Sequence, residues 1–320
     1  MIYLVAPPIG SEPTGGSLYN HYITSENELV TLLEVTEVNE IENKIDPNAI
    51  VIIDSLLLVD YFKSQLHEKY KTIGMIHLPT FFFNESKKNK HELSYYQKIP
   101  LLVTGDSFKL NLIQKYNLKA ENITTVTPGV LDIIKKKKFN KLVNKIVLVA
   151  SVTKNKGILE FLNLMKDLSD FPWEIHLYGP KADPEYYQEL QELIVDSNMK
   201  ERVFFHGYLE HSELLKMLLN YDLFVNFSVY ETFGMAIYEA LQIGLPVMSY
   251  KTNLESTFTK RSNFRNFDTI EAFKNELVEL FTEVKTSKKY QAKEEVVPRS
   301  WTDVKEDFNA VVKRIITKNN

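Results

Sequence analysis

The sequence predicts an α/β protein of two doubly wound domains, on three observations. Short apolar, β-branched runs recur along the whole chain. They are continuous rather than alternating, as strands covered on both faces require. Stretches of helical periodicity separate them, which implies βαβ units and parallel sheets.

Taken in order, the predicted strands of the first part are Ile2–Ala6, Ala49–Ile53, Thr72–His77, Leu101–Thr104 and Ile123–Val126. Those of the second are Lys145–Ala150, Glu174–Tyr178, Val203–His206, Leu223–Phe227 and Pro246–Ser249. Ile158, Phe161, Leu162, Met165 and Leu168 recur at the spacing of one helix face. Tyr186, Tyr187, Leu190, Leu193 and Ile194 mark another helix. Between the two sets, Gly129–Lys141 begins as a turn and becomes strongly basic, so it reads as an interdomain linker. Ligands of such sheets sit at the carboxyl ends of the strands.

Bulk properties narrow the function. The chain of 320 residues has 44% hydrophobic and 25% charged residues, enough for two cores. A net charge of −4 gives no cationic field for nucleic acid. The absence of cysteine excludes disulfides, thiolate metal sites and a cysteine nucleophile, and is compatible with the cytosol. The first residues read as a strand rather than a signal peptide, and no apolar run reaches the ~20 residues of a spanning helix. No H-E-x-x-H array and no G-x-S-x-G elbow occurs, so metalloprotease and serine-hydrolase readings have no support.

The most informative run is Glu231–Glu239, which continues to Val247 and follows the strand Leu223–Phe227. It reads as a largely buried helix, where a carboxylate is costly unless polar groups satisfy it. Its partners belong either to the protein or to a ligand. Gly234, with Phe233, Met235 and Ala236, stands at the strand-to-helix junction, where unpaired N–H groups and the helix dipole favour an anion. Lys154 and Lys156, in Lys154-Asn155-Lys156-Gly157, follow the strand ending at Ala150, a place suited to a phosphate or to plain solvation. Gly15 and Gly16 form a short glycine loop after the first strand, without the spacing of a dinucleotide or Walker motif. Gly179 ends the strand Glu174–Tyr178, and His77 ends Thr72–His77 as a candidate for the acceptor side or for packing.

Together these residues resemble the retaining glycosyltransferase family 4, of the GT-B type. Ser228–Val247 is similar to that family's donor-site signature, a glutamate, seven residues, a second glutamate, then a Gly-x-Pro-Val strand start. Leu101–Asp132, and Val203–Tyr208 with Leu214–Leu223, are also similar to family segments, and Arg299-Ser300-Trp301 opens a last helix. The resemblance implies two Rossmann-like domains facing across a cleft. Residues 1–140, joined by a C-terminal helix 302–318, would form the acceptor domain, and residues 141–301 the donor domain.

By the same resemblance, Glu231 would contact the donor sugar's hydroxyls and Glu239 the nucleotide ribose. Phe233, Gly234, Met235 and Ala236 would present main-chain N–H groups to the sugar and diphosphate. Lys156 would neutralise the leaving diphosphate, with Gly15 and Gly16 approaching from the first domain; Gly179, from its place at a strand end alone, reads equally as a neighbour of the nucleotide or as a plain turn. The implied enzyme is a metal-independent, retaining hexosyltransferase with no cofactor. It would take a nucleotide diphosphate sugar, UDP-sugar being the commoner family choice, and a glycan, lipid or protein acceptor.

Two positions depart from the family. Ser151 stands where an arginine usually accompanies the lysine, with Lys154 as the candidate substitute, and Tyr250–Arg265 lacks the usual glycine-rich loop. These departures keep open a non-catalytic partner subunit; a nucleotide-sugar epimerase of the same architecture is a third reading. Phe81–Phe83 and Lys87–Lys90 suggest a loop that touches the inner membrane face of a cytoplasmic enzyme, or else core and solvated residues; the Lys135–Lys138 cluster divides the same way.

Overall fold

The computed structural model describes residues 1–79, 87–131, 142–253, 258, 260–283, 289–290 and 298–318. Phe81–Phe83, Lys135–Lys138 and most of the expected linker lie outside the described residues, and of Lys87–Lys90 only the backbone is described. The chain divides into two compact units, Met1–Gly129 with Arg299–Asn320, and Val130–Pro298.

The first unit holds one six-stranded sheet in the order β2-β1-β3-β4-β5-β6. Its strands are β1 (Ile2–Ala6), β2 (Val30–Glu34), β3 (Ile50–Asp54), β4 (Lys71–Ile76), β5 (Leu101–Val103) and β6 (Ile123–Thr125). Every neighbouring pair is parallel. Within Met1–Gly129 the described helices are α1 (Gly15–Thr24), α2 (Ile41–Lys44), α3 (Ser55–Lys63), α4 (Leu66–Lys69), α5 (Lys87–Tyr96) and α6 (Asp106–Tyr116). Leu4, Val51, Ile52, Ile53, Met75 and Leu102 are sealed between the layers.

The second unit repeats the plan, in the order β12-β11-β10-β7-β8-β9. Its strands are β7 (Lys145–Val149), β8 (Glu174–Tyr178), β9 (Val203–Gly207), β10 (Leu223–Asn226), β11 (Val247–Tyr250) and β12 (Phe264–Phe267). All pairs are again parallel, with one irregularity at Leu177/Tyr178. The helices are α7 (Ile158–Lys166), α8 (Pro184–Asp196), α9 (His211–Leu218), α10 (Met235–Gln242) and α11 (Ile270–Thr282). The apolar face expected over Ile158–Leu168 is buried in this unit's core.

The last helix, α12 (Trp301–Lys318), belongs to the first unit despite its place in the sequence. Trp301 stacks on Tyr22 at 4.6 Å and meets Tyr19 edge-on at 5.7 Å, both residues of α1. Gly129 allows this approach, because a Cβ there would lie 2.9 Å from the backbone of Ser300 and Trp301.

Both strand orders contain a reversal, and a reversal leaves a crevice at the strands' carboxyl ends. In the first unit it falls between β1 and β3, and in the second between β7 and β10.

Candidate functional site

The second unit assembles its residues around the β7–β10 reversal. β7 ends at Val149 and leads through Ser151 into a 3-10 turn, Lys154–Lys156. Gly157 closes that turn with φ +62°, a left-handed conformation that glycine adopts without strain. A Cβ at Gly157 would lie 2.3 Å from the carbonyl oxygen of Phe227, so the turn after β7 packs directly on the loop after β10. The Val229 amide donates to the Asn155 carbonyl at 3.0 Å and ties the two segments together.

This junction brings Lys156 to Glu231. The Lys156 Nζ donates to Glu231 Oε1 at 2.7 Å, and both side chains are less than a fifth exposed. A pair so shielded from water is stronger than a surface ion pair and leaves a costly charge if one partner is removed. Glu231 itself is not in the helix the sequence suggested. It lies in the turn before α10, which begins at Met235. Lys154 is exposed, and Ser151 is half-buried at the end of the strand.

Gly234 precedes α10 with φ +89°, and no side chain caps the helix there. The first amides of α10 therefore have no side-chain acceptor at the cap, which leaves them available to an anion. The Phe233 ring turns away into the core, where it meets Tyr238 and Phe258 edge-on at 5.4 Å. Phe233 can offer only its main chain to a ligand. Met235 and Ala236 pack against the same core.

Glu239 lies one helical face away, its side chain only 4% exposed. Its partner is His211 at the start of α9, whose Nε2 donates to Glu239 Oε1 at 2.6 Å. Burial pushes this imidazole down, but the Glu239 hydrogen bond and charge, with Glu210, outweigh burial and hold it above the usual histidine range. The protein thus supplies a partner to each glutamate, each through Oε1.

Beneath these groups runs a buried polar network. Asn226, the last residue of β10, donates to Ser249 Oγ at 3.1 Å and Thr252 Oγ1 at 2.9 Å. Ser228 Oγ donates back to Asn226 Oδ1, and Thr252 Oγ1 donates to the Ser228 carbonyl. The loops leaving β10 and β11 are fixed to each other by these bonds. Gly179, at φ +142°, lets the end of β8 close on β7, since a Cβ there would meet the Ala150 carbonyl oxygen at 2.1 Å.

In the first unit, Gly15 and Gly16 do not form a flexible loop. They are the first turn of α1, capped by Thr14, whose side chain accepts from the Ser17 amide. Gly16 faces His77, and a Cβ there would lie 3.0 Å from the imidazole. The His77 Nε2 sits 2.8 Å from Asn20 Oδ1, Asn20 Nδ2 donates to Asp54 Oδ2 at 2.6 Å, and the imidazole is 3.6 Å from that carboxylate. Asn20 follows β1 and Asp54 ends β3, the two strands of this unit's reversal. Burial holds the His77 imidazole below its usual range, offset in part by Asp54.

The structure therefore groups Lys156, Glu231 and the start of α10, sets Glu239 on His211, and places Gly16 beside His77. Sequence reasoning missed Asn20, Asp54, His211 and the Asn226 network. Asp54 had a legible signal, a charged residue closing the apolar run Ile50–Ile53, but no spacing connects His211 to Glu239.

Two parallel doubly wound units with these groups at a strand reversal define a GT-B-type glycosyltransferase architecture. The chain belongs to the glycosyl transferases group 1 family, whose model matches residues 130–292. Mannosylfructose-phosphate synthase of Agrobacterium fabrum is 25% identical over 185 residues, which is 52% of this chain and 41% of that relative. The match thus spans about two fifths of the curated relative's length. Among solved structures, sucrose-phosphate synthase from Thermosynechococcus elongatus aligns with a TM-score of 0.77 at 12% identity, covering 99% of both chains. HepE of Anabaena in complex with UDP-glucose aligns at 0.74 and 13% identity, covering 98% of this chain and 99% of that one. At these identities the likeness is one of fold. Among the described residues, no helix is long and apolar enough to cross a membrane.

Proposed function

We propose that this chain is a retaining glycosyltransferase, a hexosyltransferase that takes its sugar from a nucleotide diphosphate sugar, with UDP as the nucleotide. The observation that carries the reading is the Lys156–Glu231 pair at the β7–β10 reversal, beside the uncapped start of α10. A cation and a row of free amides suit a diphosphate, and a carboxylate suits sugar hydroxyls. The structure of HepE with UDP-glucose supports the choice of donor.

In this reading the entering diphosphate draws Lys156 off Glu231 and onto a phosphate oxygen. The freed Glu231 carboxylate accepts from the sugar hydroxyls, and Glu239 accepts from the ribose. Lys156 and the first amides of α10 stabilise the charge that develops on the leaving diphosphate, a role that fixed cations and dipoles fill without a metal ion. The acceptor is a hydroxyl of a glycan, lipid-linked or protein substrate, and His77 serves the acceptor side in the first unit.

Titration with UDP-glucose and a panel of other nucleotide sugars, followed by a donor-hydrolysis assay, tests this. Slow transfer to water needs no acceptor. Binding with turnover is the expected result, and failure to bind any nucleotide sugar removes the reading. A second reading, a subunit that binds the donor without turning it over, is favoured by Ser151 in the place of a phosphate-facing arginine. Binding with no hydrolysis and no transfer to any acceptor class would select it.

A further inference from the structure

Glu239 is a nearly sealed carboxylate on an apolar helix, and the group that satisfies it comes from a different element. His211 opens α9, its side chain is 5% exposed, and its Nε2 reaches Glu239 Oε1 at 2.6 Å. Glu210 precedes the helix and caps it, its carboxylate accepting from the Ser212 and Glu213 amides. Two acids therefore act on the imidazole, one held by the backbone and one in the candidate donor site.

We infer that His211 is a positioning residue for nucleotide binding, holding the Glu239 carboxylate by one oxygen so that the other faces the ribose hydroxyls. This rests on the assignment of Glu239 to the ribose. Two neighbouring hydroxyls discriminate poorly against a carboxylate that rotates, and they bind well to one held in a single orientation. Helix α10 gives Glu239 its place but leaves its terminal torsion broad. The imidazole removes that freedom.

The pair also sets a charge. The acids acting on His211 are Glu239 from α10 and Glu210 from the turn before α9, and together they hold its proton beyond the usual histidine range. An imidazolium there offsets the Glu239 charge when the anionic diphosphate arrives nearby. Above the folded-state pKa of His211 that compensation is lost. Donor binding then weakens with rising pH and takes up a proton, by at most about tenfold per pH unit for one linked proton.

A merely structural bond between α9 and α10 predicts something else, a change in folding stability with no change in the pH profile of nucleotide affinity. The two are separated by calorimetric titration of the full chain with UDP-glucose between about pH 6 and about pH 9, bracketing the histidine range. Two buffers of different ionisation enthalpy report the proton count. UDP-glucose is the probe because its diphosphate, unlike that of free UDP, carries no terminal phosphate that titrates in this range. The wild type is expected to bind less tightly as pH rises, with proton uptake.

The His211→Gln variant keeps an N–H donor and cannot titrate, so its profile is expected to be flat with no proton uptake. His211→Ala loses the bond, and its affinity is expected to fall roughly 10- to 100-fold at the acid end. If His211→Ala does not fold, the His211→Gln profile decides. Wild-type affinity and wild-type pH dependence in His211→Gln would overturn the inference while leaving the donor reading intact. A folded wild type that ignores UDP-glucose and the other nucleotide sugars would remove the donor reading and this inference with it.

Discussion

Gly157 couples two strands through a single missing atom. Its left-handed backbone and the 2.3 Å a Cβ would leave to Phe227 both demand glycine. Gly157→Ala is expected to cost about 2 kcal/mol or more, the left-handed penalty plus displaced backbone. It should also weaken UDP-glucose binding, because the adjacent Lys156 moves with the turn. Urea unfolding and titration of the same preparation check both effects, and an unchanged variant contradicts this account of the junction. In the proposed reading the two glutamates separate by role. Glu231→Gln keeps shape and removes charge, so hydrolysis should fall roughly 100- to 1000-fold with nucleotide affinity little altered. Glu239→Ala should instead abolish nucleotide binding, and the reverse pattern would exchange the roles.

At the scale of elements, the ends of β10 and β11 act as one piece through Asn226. Replacing Asn226 by Leu keeps volume and strands the buried Ser228 hydroxyl, at a cost of about 1–3 kcal/mol, while Thr252 keeps its bond to the Ser228 carbonyl. The loop carrying Glu231 then loses its anchor, so turnover is expected to fall further than the loss of folded protein explains. Hydrolysis rate per folded molecule, with the folded fraction read by circular dichroism, is the measurement. The last helix answers to Trp301, packed on Tyr19 and Tyr22. Trp301→Ala removes those contacts and is expected to destabilise the first unit by about 3–5 kcal/mol.

For the molecule as a whole, two buried histidines respond to pH with opposite signs. His211 has a folded pKa above its unfolded value, so its stabilisation is complete below about pH 6.5 and disappears as pH rises through the folded value. His77 has a folded pKa below its unfolded value, so it costs stability as pH falls below about 6.5, when the unfolded chain takes a proton the folded one refuses. The chain's two tryptophans are Trp173 and Trp301, one in each unit, and each reports on its own unit. Urea midpoints followed through Trp173 in a Trp301→Phe background should show the His211→Gln deficit shrinking as pH rises. A deficit that grows with pH would reverse the sign argued for His211. In the complementary Trp173→Phe background, His77→Gln should lessen the acid sensitivity of the first unit.

Ten of the twelve strands among the described residues were legible as apolar runs; the two that were not, β2 and β12, each lie at one of the two edges of their sheet. Val30–Glu34 and Phe264–Phe267 mix polar with apolar residues and include exposed positions, so they lack the continuous pattern of strands covered on both faces. The fold class, the parallel sheets and the Glu231–Glu239 run follow from local pattern, since burial and strand ends constrain residue type wherever they occur. The partners of the two glutamates do not. Lys156 reaches Glu231 across 75 positions and His211 reaches Glu239 across 28, each on a separate element. Such pairings depend on which strands adjoin at a reversal and on a glycine that lets two loops touch. Those are properties of the packed sheet, and a chain read in one dimension carries no spacing that encodes them.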